Sequence, residues 1–448
     1  MTAGKFACSL LLSLLTLQLP ACSINMNVES MLSPPRLTAE QEQIYQALQN
    51  SVGSQQQISL KYPKSGEHLS AFTVADLDGD GTDEAIVFYE SSRTSAEENP
   101  LRFSLLGQRD GQWTCIKEYS TEGAEIERID IAKLGTNPRT NLILSYSMVD
   151  GADHKAEVLY YRNGELVNKP QFSVPYSKMD LRDLDQDGTT ELFLANAAKN
   201  DSPAAALVYS LDEKGNYQPS EVDPDPFTDI ARLVYGEIPD YSGQKRIPAI
   251  FMDCVTGATT VQTVVLSYQG GQLKMQYTDS ESGDLQQSER AGSYQTMDID
   301  GDGEPEIPVN KVFYGYTDNS PIPLTNWYVC RSGRLMREHA SYYAVQDGFV
   351  FLLPKRWEWQ VTAIQENGET VFYTIDPSRG NPDGTPVIHE PLLRLAVETD
   401  PVAADALQND GYLLLRRQNG RYYLGKTEQG SRKLSMSDSE LLFSMQFL

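Results

Sequence analysis

Asp76-Leu-Asp78-Gly-Asp80-Gly-Thr82-Asp-Glu84, Asp183-Leu-Asp185-Gln-Asp187-Gly-Thr189-Thr-Glu191 and Asp298-Ile-Asp300-Gly-Asp302-Gly-Glu304-Pro-Glu306 are one nine-residue pattern occurring three times. Oxygen-bearing side chains at positions 1, 3, 5 and 9 converge on one point if the chain turns sharply at position 6. Gly81, Gly188 and Gly303 stand at that position and supply the permissive backbone. The position 7 carbonyls of Thr82, Thr189 and Glu304 complete an oxygen-only shell, which suits a hard cation such as Ca²⁺. Without a cation four carboxylates this close repel one another, and the alternative reading is a solvated acidic turn.

An EF-hand opens in the same way but needs a bidentate Glu at position 12. Val87, Leu194 and Val309 stand there instead. The first two loops run into apolar, β-prone stretches (Ala85–Tyr89 and Leu192–Leu194), so a strand follows and not a helix. A DxDGDGxxE loop feeding a strand resembles the FG-GAP/VCBS repeats of integrin-like β-propellers. The resemblance implies Ca²⁺ ligation, by about three ions of structural role, at positions 1, 3, 5, 7 and 9. Those positions are Asp76, Asp78, Asp80, Thr82 and Glu84; Asp183, Asp185, Asp187, Thr189 and Glu191; Asp298, Asp300, Asp302, Glu304 and Glu306. That family usually has Asp at position 9, whereas all three loops here carry the longer Glu.

Two degenerate copies lie between the intact ones. Ile129-Asp130 to Gly135 precedes Asn141–Leu144, and Leu233–Gly236 precedes Ala249–Met252, each keeping the strand without the acids. Every repeat then has a turn signal, at Gly111, Gly164, Gly215, Gly271 and Gly333, spaced by 53, 51, 56 and 62 residues. A near-constant period of this size predicts a mainly β fold, a β-propeller of about five repeats. From about Gln346 the period disappears. Strand patterns, a short helix at Asp400–Leu407, a hairpin over Gln418-Asn419-Gly420 and a final helix capped at Ser437 predict a small α+β C-terminal domain.

The N-terminal 22 residues hold one Lys, an apolar run around Leu10–Leu19, then Leu19-Pro20-Ala21-Cys22. This resembles the lipobox of bacterial lipoprotein signals, although Pro20 departs from its usual middle residue. The resemblance implies cleavage before Cys22, lipidation of that Cys, and a chain anchored at the outer face of a cell membrane. Two acyl chains suffice for stable anchoring. The expected divisions are therefore 1–21 signal, 22–37 tether, 38–344 helix plus propeller, and 345–448 α+β domain. Thr38-Ala-Glu-Gln41 reads as a capping box opening a helix with Ile44, Ala47 and Leu48 on one face.

Lys and Arg number 37 against 62 Asp and Glu, a net charge of −25 that argues against nucleic-acid binding. The four His are scattered, and Cys115, Cys254 and Cys330 lack a CxxC, so neither a zinc site nor a disulfide framework is expected. Gly420-Arg-Tyr-Tyr-Leu-Gly425-Lys426-Thr427 satisfies the phosphate-loop pattern, but its middle is strand-like and no cradle for nucleotide forms. Trp113, Trp327, Trp357 and Trp359 read as core in preference to a sugar platform. No catalytic constellation stands out. The expectation is a non-enzymatic surface lipoprotein that binds an unidentified ligand or protein. The alternative is an extracytoplasmic polysaccharide hydrolase or lyase.

Overall fold

The computed structural model describes residues 37–53, 56–91, 100–148, 154–199, 202–282, 287–428 and 433–448. The expected signal segment and Cys22 lie outside the described residues. The protein is mainly β, with six antiparallel sheets following one another along the chain. The first contains Phe72–Ala75, Glu84–Ser91, Leu101–Arg109 and Gln112–Ser120, with Ile58–Leu60 also paired to Glu84–Ser91. The second contains Glu125–Lys133, Thr140–Ser147, His154–Arg162 and Ser173–Tyr176, with Glu165–Val167 also paired to His154–Arg162. Lys178–Arg182, Glu191–Asn196, Ala205–Leu211 and Tyr217–Val222 form the third. The fourth is Asp229–Pro239, Arg246–Val255, Thr260–Gln269 and Gln272–Tyr277, with Arg290–Ala291 added beside Thr260–Gln269.

The five turn signals all join paired strands. Asn163 and Gly164 show the geometry, with φ of 52° and 81° matching a type I′ hairpin whose twist suits the flanking strands. The second strands of the first and third sheets contain the unbroken apolar runs Ala85–Tyr89 and Leu192–Ala195 because both of their faces are buried. Ile86 and Phe88 face the second sheet, whereas Ala85, Val87 and Tyr89 pack under the N-terminal helix. Leu192 and Leu194 likewise face the second sheet, and Phe193 and Ala195 the fourth. Apolar clusters thus join each consecutive pair of sheets, first to second through fifth to sixth. Among the described residues no such cluster joins the first sheet to the fifth or sixth.

The helix Ala39–Val52 starts at the expected capping box. The Gln41 amide donates to Thr38 Oγ1 at 3.2 Å, and the Thr38 amide donates to Gln41 Oε1 at 3.0 Å. Its buried residues are Ile44, Leu48 and Val52.

The expected boundary at 344/345 falls inside the fifth sheet. That sheet runs Ile307–Lys311, Leu324–Arg331, Arg334–Ala344, Phe349–Leu352 and finally Met445–Phe447. The Gly348–Pro354 stretch therefore does not open a new unit; it adds a fourth strand to the old one. Val361–Glu366, Glu369–Gly380, Pro386–Glu398, Arg421–Thr427 and Leu413–Gln418 make the sixth sheet, flanked by helices Pro401–Asn409 and Asp438–Ser444. One apolar cluster from Phe313 to Met445 lies between the fifth and sixth sheets, centred on Phe351, Trp357 and Phe372. The segment matching the phosphate-loop pattern is the turn at Asn419-Gly420 followed by the strand Arg421–Thr427.

Candidate functional site

Each acidic loop leads into a strand of its sheet, Glu84–Ser91, Glu191–Asn196 or Ile307–Lys311, from a partner that precedes it. In the first and third sheets that partner is a full strand; before Ile307 it shrinks to the single bridge Met297–Glu306. The position 1 carboxylate organises the turn. Asp76 Oδ1 accepts from the amides of Gly79 (2.7 Å) and Asp80 (3.2 Å), and Oδ2 from Gly81 (2.9 Å). Asp298 repeats all three bonds, and Asp183 repeats those from Asp187 and Gly188. The position 6 glycines sit at φ of 87°, 89° and 89°, the left-handed region that favours Gly, with nothing within 4 Å of an added Cβ. Conformation, not crowding, selects glycine there.

The position 9 glutamates close the loops from beneath. Glu84, Glu191 and Glu306 are 6, 2 and 1 % exposed, and each Oε2 accepts an amide: Leu77, Leu184 and Ile299, at 2.9–3.0 Å. Burial first, then the charges of the loop aspartates, pushes Glu84 and Glu191 up to about 7 and Glu306 up to about 8. Three buried carboxyls whose ionised forms are penalised this way are what a cation would relieve.

Ligand-type atoms of Asp76, Asp78 and Glu84 lie within 4.8 Å of one another, as do those of Asp183, Asp185 and Glu191. In the third loop Asp298, Asp300, Asp302 and Glu306 all converge. Asp80 and Asp187 stand outside the first two groups, and each accepts from the amide of the position 7 Thr, Thr82 (2.7 Å) or Thr189 (2.8 Å). Position 7 of the third loop differs, because the Glu304 side chain is 2 % exposed and held by Arg331 and Arg246. Sequence reasoning missed His339, whose Nε2 lies 3.1 Å from Asp300 Oδ2 and which groups with Asp300 and Glu306.

The degenerate repeats have a role in placing the intact loops. The Gly135 amide donates to Thr190 O at 2.8 Å, and the Glu237 amide to Gly303 O at 2.9 Å. A Cβ on Gly236 would stand 2.2 Å from Pro305 Cδ, so the third loop presses directly on the fourth sheet's first strand. Asp130, the surviving acid of the first degenerate copy, is bound to Arg128 Nε at 2.7 Å and takes no part in a cluster.

Two further polar constellations were invisible in the sequence. One is buried: Arg290 (side chain 0 % exposed) pairs with Asp253 (3 %) at 2.7 Å. Its Nε donates to Tyr294 O, Nη1 to Thr263 Oγ1 and Ser288 O, and Nη2 to Asp253 Oδ1 and Thr296 Oγ1, all within 3.0 Å. All five guanidinium N–H groups are thereby satisfied. Thr296 also donates its amide to Asp253 Oδ2, so the clamp fixes the chain two residues before Asp298.

The other is a cavity of about 540 Å³ where the first strands of the second, third and fourth sheets meet. Arg128, Tyr176, Lys178, Asp180, Arg232 and Tyr235 are among the residues lining it. Burial holds the hydroxyl protons of Tyr176 and Tyr235 on, and for Tyr235 the adjacent Asp180 adds to the effect.

Trp113, Trp327 and Trp357 are buried as expected, whereas Trp359 is 65 % exposed at φ 61° in a turn, against Tyr314. Cys115, Cys254 and Cys330 are free thiols on strands, Cys115 half-buried. Among the described residues no helix is long and apolar enough to cross a membrane.

No protein-family model matches the chain, and no curated protein matches it. Among solved structures, a protein from Lactobacillus plantarum is similar at 10 % identity and TM-score 0.24, over 73 % of this chain and 85 % of that one. A polysaccharide lyase, an ulvan lyase, is similar at 11 % identity and TM-score 0.23, over 76 % and 87 % of the two chains. An exo-β-1,3-galactanase from Phanerochaete chrysosporium is similar at 13 % identity and TM-score 0.21, over 76 % and 80 %. Scores this low transfer neither fold nor activity to this chain.

Proposed function

We propose that the protein is a calcium-braced, propeller-type repeat protein that binds a ligand without transforming it. In this reading it is held at the outer face of a bacterial cell membrane by lipid on Cys22. The observation that carries it is the threefold recurrence of one loop geometry: a tied position 1 Asp, a left-handed Gly and a buried Glu aimed at its aspartates. Oxygen-only donors of this kind suit Ca²⁺ over metals that prefer nitrogen or sulfur. Asp76, Asp78 and Glu84, then Asp183, Asp185 and Glu191, then Asp298, Asp300, Asp302 and Glu306 would hold the ions. Such ions would neutralise carboxylates that the fold has already placed, so binding couples to stability.

The second reading, an extracytoplasmic polysaccharide hydrolase or lyase, draws support from the polar cavity. Its chemistry argues for binding instead. Of its lining acids, Glu127 is bound by Lys64 at 2.7 Å, which Glu125 shares, and Asp180 by Arg182 at 3.9 Å, while the lining residue Arg128 is taken by Asp130 at 2.7 Å. Tyr176 and Tyr235 hold their protons too firmly to act as bases near neutral pH. The test is calorimetric melting of the full chain across a Ca²⁺ titration against EGTA, with Cys22→Ala fractionated from membranes alongside. A Ca²⁺-dependent rise in Tm and release of the variant from the membrane are expected. No shift at millimolar Ca²⁺ would leave the loops as solvated acidic turns.

A further inference from the structure

The cavity between the first strands has a charge balance opposite to that of the whole molecule. The chain carries −25, yet among the cavity's strongly charged residues the bases outnumber the acids, Arg128, Lys178 and Arg232 against Glu127 and Asp180. Each of those acids already has a basic partner, Glu127 sharing Lys64 with Glu125, as does Asp130 close by. Arg128 is used by Asp130. Lys178 and Arg232 are not used in this way: among the described residues neither has a carboxylate partner, and Arg232 donates only to the neutral Gln295. Two cations without counter-charges, facing one cavity in an acidic protein, favour an anion there.

The rest of the lining defines the anion further. The His154 and Tyr176 rings lie 5.5 Å apart and form one aromatic wall, while Arg182 stacks on the Tyr235 ring at 3.9 Å. Ser65 Oγ, whose proton goes to Glu127 O, and the Asp180 carboxylate add oxygens that accept hydrogen bonds from alcohols. Aromatic faces beside hydroxyl-seeking groups and unmatched cations are complementary to a sugar ring that carries a carboxylate. The volume lies in the range that holds a small ligand.

We propose that this cavity is a binding site for a uronate-bearing oligosaccharide, with Lys178 and Arg232 pairing its carboxylates. The proposal rests on the reading of the protein as a ligand binder and names its ligand class.

The test is isothermal titration of the full chain, in Ca²⁺-containing buffer, with the trimer of β-1,4-linked glucuronate. The neutral trimer of the same linkage, cellotriose, is titrated beside it. The glucuronate trimer should bind at least tenfold tighter than cellotriose and weaken as salt rises. Lys178→Met and Arg232→Met should each weaken it a further tenfold or more. Absence of binding at millimolar glucuronate trimer, equal affinity for cellotriose, or parent-like binding by both variants overturns the proposal. Ca²⁺-dependent melting of the same samples separates the two claims. A retained shift without sugar binding removes the cavity's role and keeps the calcium reading; a missing shift strikes the calcium reading and leaves the cavity to the titration alone.

Discussion

Arg290→Met tests whether the buried clamp holds the third acidic loop in place. The substitution keeps most of the side-chain volume and removes all five donated hydrogen bonds. Asp253 keeps three donors, Thr263 Oγ1 and Thr296 Oγ1 at 2.7 Å and the Thr296 amide at 3.1 Å, but loses its counter-charge at 3 % exposure. An uncompensated buried charge of this kind costs about 3–5 kcal/mol. At about 1.4 kcal/mol per factor of ten, that lowers the folded-to-unfolded ratio by roughly two to three and a half powers of ten. Because Thr296 stands two residues before Asp298, one of the three proposed Ca²⁺ sites should be lost with it. Urea unfolding followed by tryptophan fluorescence reads the first effect, and equilibrium dialysis with Ca²⁺ reads the second. Arg290→Met/Asp253→Asn should recover half or more of the loss, since the amide removes the stranded charge while its Oδ1 still accepts from the Thr263 and Thr296 hydroxyls. A cost below about 1 kcal/mol for the single variant would refute the reasoning, as would a double variant no better than the sum of its parts.

The three loops should bind Ca²⁺ independently, each adding about 2.7 kcal/mol at one hundred times its Kd, read as a Tm that rises with Ca²⁺ in calorimetry. Asp78→Ala, Asp185→Ala and Asp300→Ala should each remove one ion by dialysis, whereas Asp130→Ala, already paired with Arg128, should remove none. Mg²⁺ should substitute poorly, because it demands a tight octahedron and gives up water reluctantly. Gly236→Ala places a methyl group 2.2 Å from Pro305 and should displace the third loop, giving two ions per chain by the same dialysis. Trp357→Ala empties the centre of the cluster between the fifth and sixth sheets and strands Leu434 O, which now accepts from the indole at 2.7 Å. The expected loss is about 3–5 kcal/mol in denaturant unfolding.

What could be read from the sequence was local in the chain. A carboxylate pattern nine residues long, a Gly-bearing turn and a capping box each contain their own partners; the turns and the cap form at the expected residues, while Asp80 and Asp187 stay outside the first two acidic groups. The convergence of Asp298, Asp300, Asp302 and Glu306 was legible for that reason. What escaped depends on partners far along the chain. Asp253 and Arg290 are 37 residues apart and His339 lies 39 from Asp300, with no spacing rule to link them. The repeat period ends near Gln346, yet Phe349–Leu352 pairs backward with Ser341–Ala344, across the expected boundary, as well as forward with Met445–Phe447. Trp359 was misread because composition assigns Trp to cores, whereas a turn at positive φ carries this one outward.

The late strand Met445–Phe447 has a consequence for how the molecule is made. Phe351 pairs with Met445, which leaves the ribosome 445 − 351 = 94 residues later. At roughly 5–20 residues per second, the edge of Phe349–Leu352 stays bare for about 5–19 seconds of every round of translation. That edge is uncharged and apolar, with none of the Lys or Pro residues that keep a bare edge from pairing with a neighbouring chain. In a chain exported as proposed above, that exposure passes to the translocated chain, and crowding of translocating copies is the condition that favours misassembly. A premature stop anywhere between residues 353 and 444 would make the transient edge permanent.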